Sequence, residues 1–502
     1  MEDTVRIRDR FQFDLELGYP IPSDVQQVEY ELEAYLFLPP TLGINRDNYS
    51  KTHFYDDLDA HIRLRTPFVP LDAIVPSASG PLSRLSASVF HLSENAGPDT
   101  VEKFVIQVKL FCCVVRKSLR KFVQAANEVR NPEERARRCE RYAVSVSSIR
   151  RAYRGLEPRL RSAGMFPQAN SAFRFADEFL SLLFEECAHR LLEGPPGAKS
   201  ARSPHIDNHL LPIVREEIEY RRSRGFPSIA NESGENESLL YRRSVLKRYV
   251  GSVLHLNTQT KPGGKFVQET LFGLAAGLSM LFATAILFVY QSLYGALSMP
   301  VFGALIVSYI FKDRIKELLR IYFSQKLSGV LSDHKTRLYG TLNQLLGVCE
   351  ETFDFVHESK IPQEVVSARD RDRMTEIEGT WIGETVLRYK RKIRIYPERI
   401  SRLYENLEIA ELDDVLRFNV TDLVKRTGTP EKPVYVLAHD SHRKIVGERV
   451  YHVNLVIRRS GFGDSKCERF RVVLNQRGIK RIDAVTTAAQ QIAADRPRVA
   501  AL

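Results

Sequence analysis

Only six of the 502 residues are cysteines, and Cys112, Cys113, Cys139, Cys187, Cys349 and Cys467 show neither CxxC spacing nor a compact disulfide pattern. That excludes a disulfide scaffold and a cysteine-rich zinc module, and it predicts a reducing, cytoplasmic setting. The HExxH, GxSxG, P-loop and kinase signatures are also absent, so no catalytic motif is written into the chain. The amino terminus, MEDTVRIRDRF, is charged and lacks the apolar core of about 7–15 residues that an export signal needs. The residues before 265 are therefore expected to remain on the cytoplasmic side.

The most consequential absence is one of charge. Residues 270–311, 42 in a row, contain no Asp, Glu, Lys, Arg or His. A helix rises about 1.5 Å per residue and bilayer hydrocarbon is about 30 Å thick, so the run reaches roughly 63 Å, enough for two crossings. Gln291, Ser292, Tyr294 and Gly295 interrupt it and mark a turn. Segments of about 270–290 and 294–311 are thus predicted as a transmembrane helical hairpin, with Pro300 expected to disturb the first turns of the second helix. Gly273 and Gly277, at GxxxG spacing, are expected to pack closely against Gly295, Ala296 and Gly303, or against a second copy of the chain. Lys261 and Lys265 precede the run and Lys312, Arg314, Lys316 and Arg320 follow it, which places both flanks in the cytoplasm by the positive-inside rule. A membrane segment without ionisable groups lacks what ion pathways and proton relays use, so it is read as an anchor.

The rest of the chain has an ordinary globular composition, 43% hydrophobic and 27% charged, with a net charge of +11. Residues 28–38 alternate as a half-buried strand and open an α+β region over 1–100. Apolar residues then recur at three and four positions, and residues 101–192 are expected to form a basic helical bundle. Its third helix, 172–192, should expose Asp177, Glu178, Glu185 and Glu186. Between 116 and 161 fourteen Lys or Arg face five Glu, a net of +9. Arg116, Lys117, Arg120, Lys121, Arg135, Arg138, Arg141, Arg150 and Arg151 are the candidate contacts for anionic lipid headgroups, at about 1 kcal/mol each near a surface. A solvated face paired with local Glu is the plainer alternative, and nucleic acid is disfavoured because no reading motif is present.

Residues 193–265 read as a linker and membrane-proximal helix, with Lys261-Pro-Gly-Gly-Lys265 as a hinge. Residues 312–358 read as membrane-proximal helices, the second carrying Leu338, Leu342, Leu345, Cys349 and Phe353 as its stripe. Residues 376–483 form a small β-rich cytoplasmic domain, closed by a hairpin through Asn475-Gln476-Arg477-Gly478, and 484–502 a tail. Two constellations could hold a metal or activate water, Asp57 with Asp59 and His61, and His439 with Asp440 and His442. Neither has a specific spacing, and Cys187 and His189 fall on different faces of a helix. No metal or cofactor is assigned.

The expected whole is a multidomain α+β membrane protein: a helical-bundle-containing N-terminal part, a two-helix transmembrane hairpin and a small β-rich C-terminal domain. Its expected role is that of a cytoplasm-facing scaffold or regulator that meets the bilayer, anionic headgroups and an unidentified protein partner. A membrane-tethered hydrolase or metal-dependent enzyme, and an oligomeric pore or membrane-remodelling protein, are the alternatives.

Overall fold

The computed structural model describes residues 4–22, 24–77, 80–95, 97–162, 166–194, 204–231, 234–295, 298–327, 331–369, 383–404, 409–438, 441–461 and 464–485. In chain order its elements are β1 (Thr4–Ile7), β2 (Gln12–Pro20), β3 (Val28–Leu38), α1 (Lys51–Asp57), β4 (Leu58–Leu64), α2 (Pro81–Glu94), α3 (Pro98–Glu128), α4 (Pro132–Arg154), α5 (Glu157–Ser162), α6 (Pro167–Glu193), α7 (Pro204–Ser223) and α8 (Glu237–Gly251). There follow β5 (Asn257–Pro262), α9 (Lys265–Tyr294), α10 (Met299–Leu327), β6 (His334–Tyr339), β7 (Leu345–Val356), α11 (Gln363–Arg369), β8 (Thr385–Ile395), β9 (Glu411–Asn419), β10 (Glu431–Ala438), β11 (Ser441–Glu448), β12 (Tyr451–Gly461), β13 (Asp464–Asn475) and β14 (Gly478–Val485). The chain is a mixed α+β protein. It divides into two compact units, Met1–Ile62 with Asn257–Leu403 and Asp413–Leu502, and Arg63–Leu256 with Tyr404–Leu412.

The first unit holds an antiparallel eight-stranded sheet in the order β14-β13-β12-β3-β8-β7-β6-β5 and a four-stranded sheet β1-β2-β9-β4. Strands expected for two separate regions, 1–100 and 376–483, therefore share one sheet. The charges explain the pairing. Glu29, Glu31 and Glu33 alternate along β3 and fall opposite Arg394, Lys392 and Lys390 of β8, so each acid meets a base across the strands. On the other face of these strands, Phe54 of α1 stacks on Phe353 at 4.1 Å and lies 5.5 Å from Tyr389 and 6.5 Å from Phe418. Burying one such aromatic contributes about 1.5–3 kcal/mol. Tyr35, Phe37, Val365, Ala368 and Val456 form a smaller core beneath α11.

Residues 334–356 correct the expectation of a membrane-proximal helix. They are β6 and β7, paired antiparallel with Thr336 opposite Cys349. The spacing of Leu338, Leu342, Leu345, Cys349 and Phe353 imitates a helical stripe, yet Leu338, Cys349 and Phe353 bury on a strand period within β6 and β7. The turn at Asn343, which has φ 56°, separates the two strands. Nor does the helix after residue 239 run to the membrane segment, because α8 stops at Gly251 and β5 intervenes.

The second unit is helical. Asn131 caps α4 by accepting from the Glu133 amide at 3.0 Å, and Pro132 starts the helix where no donor is needed. Phe111, Tyr153 and Phe173 stack through α3, α4 and α6, with Tyr153 and Phe173 at 4.5 Å.

Candidate functional site

Helix α9 passes from Val267 to Tyr294 with a mean hydropathy of 2.2 in its most apolar window, and it is the one helix among the described residues long and apolar enough to cross a membrane. Its partner α10 packs along it. What separates them is where charge begins. In α10 the uncharged stretch 299–311 spans about 20 Å before Lys312, against about 37 Å for 270–294 in α9. Pro300 does not disturb α10, because it falls in the first turn, where its missing N–H is not required.

The packing seam differs from the expected one. Ala275 and Ser279 of α9 and Ser308 of α10 are buried, whereas Gly273, Gly277, Gly295 and Gly303 have nothing within 4 Å of where a side chain would begin. The seam uses a small-xxx-small pair two residues along from the glycines, and those glycines are not at a close approach within the chain; Ala296 lies outside the described residues. Lys312 Nζ sits 3.9 Å over the Tyr309 ring, and the Arg320 guanidinium lies 4.8 Å from the Phe272 ring. That second contact fixes the register, setting the charged part of α10 beside residues 270–280 of α9.

The outward faces of the pair are apolar and uncovered. Leu281 is 68% exposed, Phe288 69% and Leu318 66%. In water each such side chain forgoes about 1.5–3 kcal/mol of burial, a surface that soluble domains avoid. Drawing Lys312, Asp313 and Arg314 to the centre of the hydrocarbon would cost about 2.5–3.5 kcal/mol each.

At the base of the pair, where the hinge was expected, Lys261 and Pro262 belong to β5, Lys265 opens α9 and a tight turn at Gly263 and Gly264 joins them. Gly264, with φ +66°, caps α9 in the left-handed region, and a side chain on Gly263 would meet the Ser332 carbonyl oxygen at 2.2 Å. Both glycines are therefore required where the chain leaves β5 and returns toward β6.

The nine candidate basic residues do not form one face. Arg135 is buried and donates to the Leu191 carbonyl, and Arg150 pairs with Glu216 at 2.6 Å and Glu217 at 3.1 Å. Arg138 bonds the Ala125 carbonyl and Glu134, while Lys117 donates to the Thr66 carbonyl. Arg120, Lys121, Arg141 and Arg151 are exposed, and Arg116 is partly so. Lys121 and Arg141 flank a cleft of about 480 Å³ with Phe68, Leu71 and Phe122; Lys121 lies 4.2 Å over the Phe68 ring and Arg141 reaches Asp72 at 3.3 Å. Phe68 and Asp72 lie some fifty to seventy residues upstream of Lys121 and Arg141, and nothing in their local pattern announces the contact.

The acids of α6 also differ from expectation. Asp177 and Glu178 are buried, because α4 brings Arg154, α7 Tyr220 and α8 Arg242 onto that face. Arg154 pairs with Asp177 at 3.2 Å and Glu217 at 2.7 Å, Arg242 with Glu178 at 2.7 Å, and Arg221 with Glu185. Burial pushes the Asp177 carboxyl above its ordinary range, against the Tyr220 hydroxyl and Arg154, which pull it down.

A second buried network occupies the first unit. Arg391 pairs with Asp414 at 2.9 Å and with Glu351, and Tyr389 donates to Glu351. Burial pushes Asp414 up to about 6, opposed by Arg391 and reinforced by Glu351.

Among the described residues, the candidate constellation of Asp57, Asp59 and His61 is not assembled into a metal site. Asp57 accepts from Tyr49 at 2.9 Å, and Asp59 meets His61 at 3.0 Å and Arg417 at 3.3 Å. No group of three potential ligands converges among the described residues. His439 and Asp440 lie outside the described residues, and His442 is on β11. Cys187 is buried while His189 is exposed beside Glu185, in keeping with their separate helix faces. Compared with known proteins, the chain matches no family model, no curated protein and no solved structure.

Proposed function

We propose that this chain is a membrane-anchored scaffold or regulatory protein whose two units lie at the cytoplasmic surface, with α9 and α10 as the anchor. The observation that carries the reading is the uncovered apolar surface of α9, which has a solvent to match it only in lipid. Sheet pairing supports a common side for both flanks. β5 enters α9, β6 leaves α10, and Pro262 lies opposite His334 in the same antiparallel ladder. Strands bonded to each other cannot stand on opposite faces of a bilayer. Lysines and arginines next to the pair favour the cytoplasmic face for that side.

Anchoring is the role that the composition supports, since α9 carries no Asp, Glu, Lys, Arg or His after Glu269. The exposed Arg120, Lys121, Arg141 and Arg151 are then available to anionic headgroups or to an acidic segment of a protein partner. Membrane fractions washed with high salt and then with alkaline carbonate test the anchor. The full chain is expected to stay in the pellet; release into the alkaline wash would sink the reading. Because Cys113 is buried and Cys467 only partly exposed, sidedness is best read with cysteines introduced at exposed positions such as Lys335. These should label with an impermeant maleimide in inside-out vesicles and not in intact cells.

A further inference from the structure

We propose that the α9–α10 pair does not cross the bilayer but enters and leaves through one face, ending within the hydrocarbon as a wedge that fits a single phospholipid leaflet and its apolar interior. The proposal rests on the anchor reading above and concerns its depth. The Arg320 to Phe272 contact and the packing of α10 along α9 set the two helices in register. They must therefore sink together. Their common uncharged depth is set by the shorter one, about 20 Å from Lys312 to the turn, against about 30 Å of hydrocarbon. A full crossing would pull Lys312, Asp313 and Arg314 below the headgroups. Stopping short keeps Lys312 at the entry face over Tyr309, the pairing of cation and aromatic that suits an interface.

The turn can be submerged because nothing in it is charged, and two of its described amides bond within the chain. The Gly295 amide donates to the Gln291 carbonyl at 3.1 Å, and the Phe302 amide donates to the Ser298 carbonyl at 3.1 Å. The uncharged Gln291 amide and the Tyr294 hydroxyl are far cheaper to leave in hydrocarbon than three ionised groups. A wedge of this kind needs water on one side only, so a monolayer-coated oil surface should accept it as readily as a bilayer.

The test uses the full chain with Cys467→Ser and one introduced cysteine, Gln291→Cys or Ser298→Cys at the turn, with Lys335→Cys as the soluble reference. In sealed vesicles the turn cysteines should resist an impermeant maleimide from both sides and react once detergent is added, while the reference labels from one side. Labelling of the turn from the side opposite the reference would overturn the wedge and leave the anchor standing. Labelling on the reference side, together with release by alkaline carbonate, would instead bring down the anchor reading itself. In a second measurement, triolein droplets coated with phosphatidylcholine should float the chain, and Phe288→Glu should reduce the bound fraction by on the order of fifty-fold, with Phe288→Leu unchanged. A chain that resists carbonate in bilayers yet fails to float with droplets would also overturn the wedge.

Discussion

The helical unit takes charge inside, and the α9–α10 pair keeps apolar side chains outside. In the helical unit Glu217, Asp177 and Glu178 are buried, and each meets an arginine of a neighbouring helix. Every departure from the ordinary rule is compensated by a partner within the chain. In the pair, Leu281, Phe288 and Leu318 stay uncovered with no compensating contact. The difference separates two kinds of exception: a buried charge is explained by what it touches, an exposed apolar face by the solvent it needs.

The sharpest way to break the first half of the comparison is to remove one partner. Glu217→Ala leaves Arg150 and Arg154 facing each other without their shared acid, and a loss of about 3–5 kcal/mol is expected. Denaturant unfolding of the chain in nanodiscs, followed by helix signal, reads it; a loss below about 1 kcal/mol would mean the pairs are decorative. Asp414→Ala, which leaves the buried Arg391 with Glu351 alone, is expected to cost somewhat less, about 2–4 kcal/mol, in the first unit.

Asp414 also gives a pH test. Its carboxyl titrates near 6 in the fold and near 3.9 when unfolded, so the folded state binds the extra proton between those values. The stability this group contributes is complete below about 4 and is lost as pH rises through about 6. Subtracting the urea midpoints of Asp414→Asn from those of the parent over pH 4 to 7 should leave that slope. A difference that rises with pH would reverse the assignment.

The second half of the comparison is tested by Phe288→Lys, at an outward position of α9 within the uncharged depth. Charge there should weaken membrane retention by about 2.5–3.5 kcal/mol while leaving both units folded. Unchanged retention together with unchanged circular dichroism would show that this face meets water. Gly277→Leu is expected to change neither, since nothing within the chain stands near Gly277; loss of a detergent-stable assembly would identify that face as a contact between copies.

How much of this was legible in the sequence differs by region for physical reasons. The apolar run, the α4 cap at Asn131 and the hairpin of β13 and β14 rest on local rules, and each lies where its residues indicate. The region 338–353 misled because leucines at three- and four-residue spacing satisfy both periods when a turn falls between two strands. The buried acids of α6 could not be read from α6 alone, since what covers them comes from α4, α7 and α8. The depth of the hairpin was hidden too. Uncharged length is a property of sequence, but the level at which α10 sets its charges beside α9 depends on register.

One long-range feature was legible and went unread. The acids Glu29, Glu31 and Glu33 alternate with apolar residues and fall opposite Lys390, Lys392 and Arg394, some 360 positions away, and such complementary ladders specify both the pairing and its register. A slip by one residue would turn Lys390, Lys392 and Arg394 to the other face and leave Arg391 as the one base against the three acids. The pairs themselves are partly exposed, Lys390 meeting Glu31 at 2.7 Å and Glu33 at 3.8 Å, so their worth lies in specificity more than in energy. Lys390→Ala should therefore cost only about 0.2–1 kcal/mol, and the cost should shrink further between low and high salt as screening grows. Lys390→Glu, which places like charges across the ladder, is the discriminating variant: it should cost more than Lys390→Ala, and Glu31→Lys in the same chain should recover most of the difference. Equal losses for Lys390→Ala and Lys390→Glu, with no recovery in the double variant, would show that apolar burial alone aligns β3 with β8.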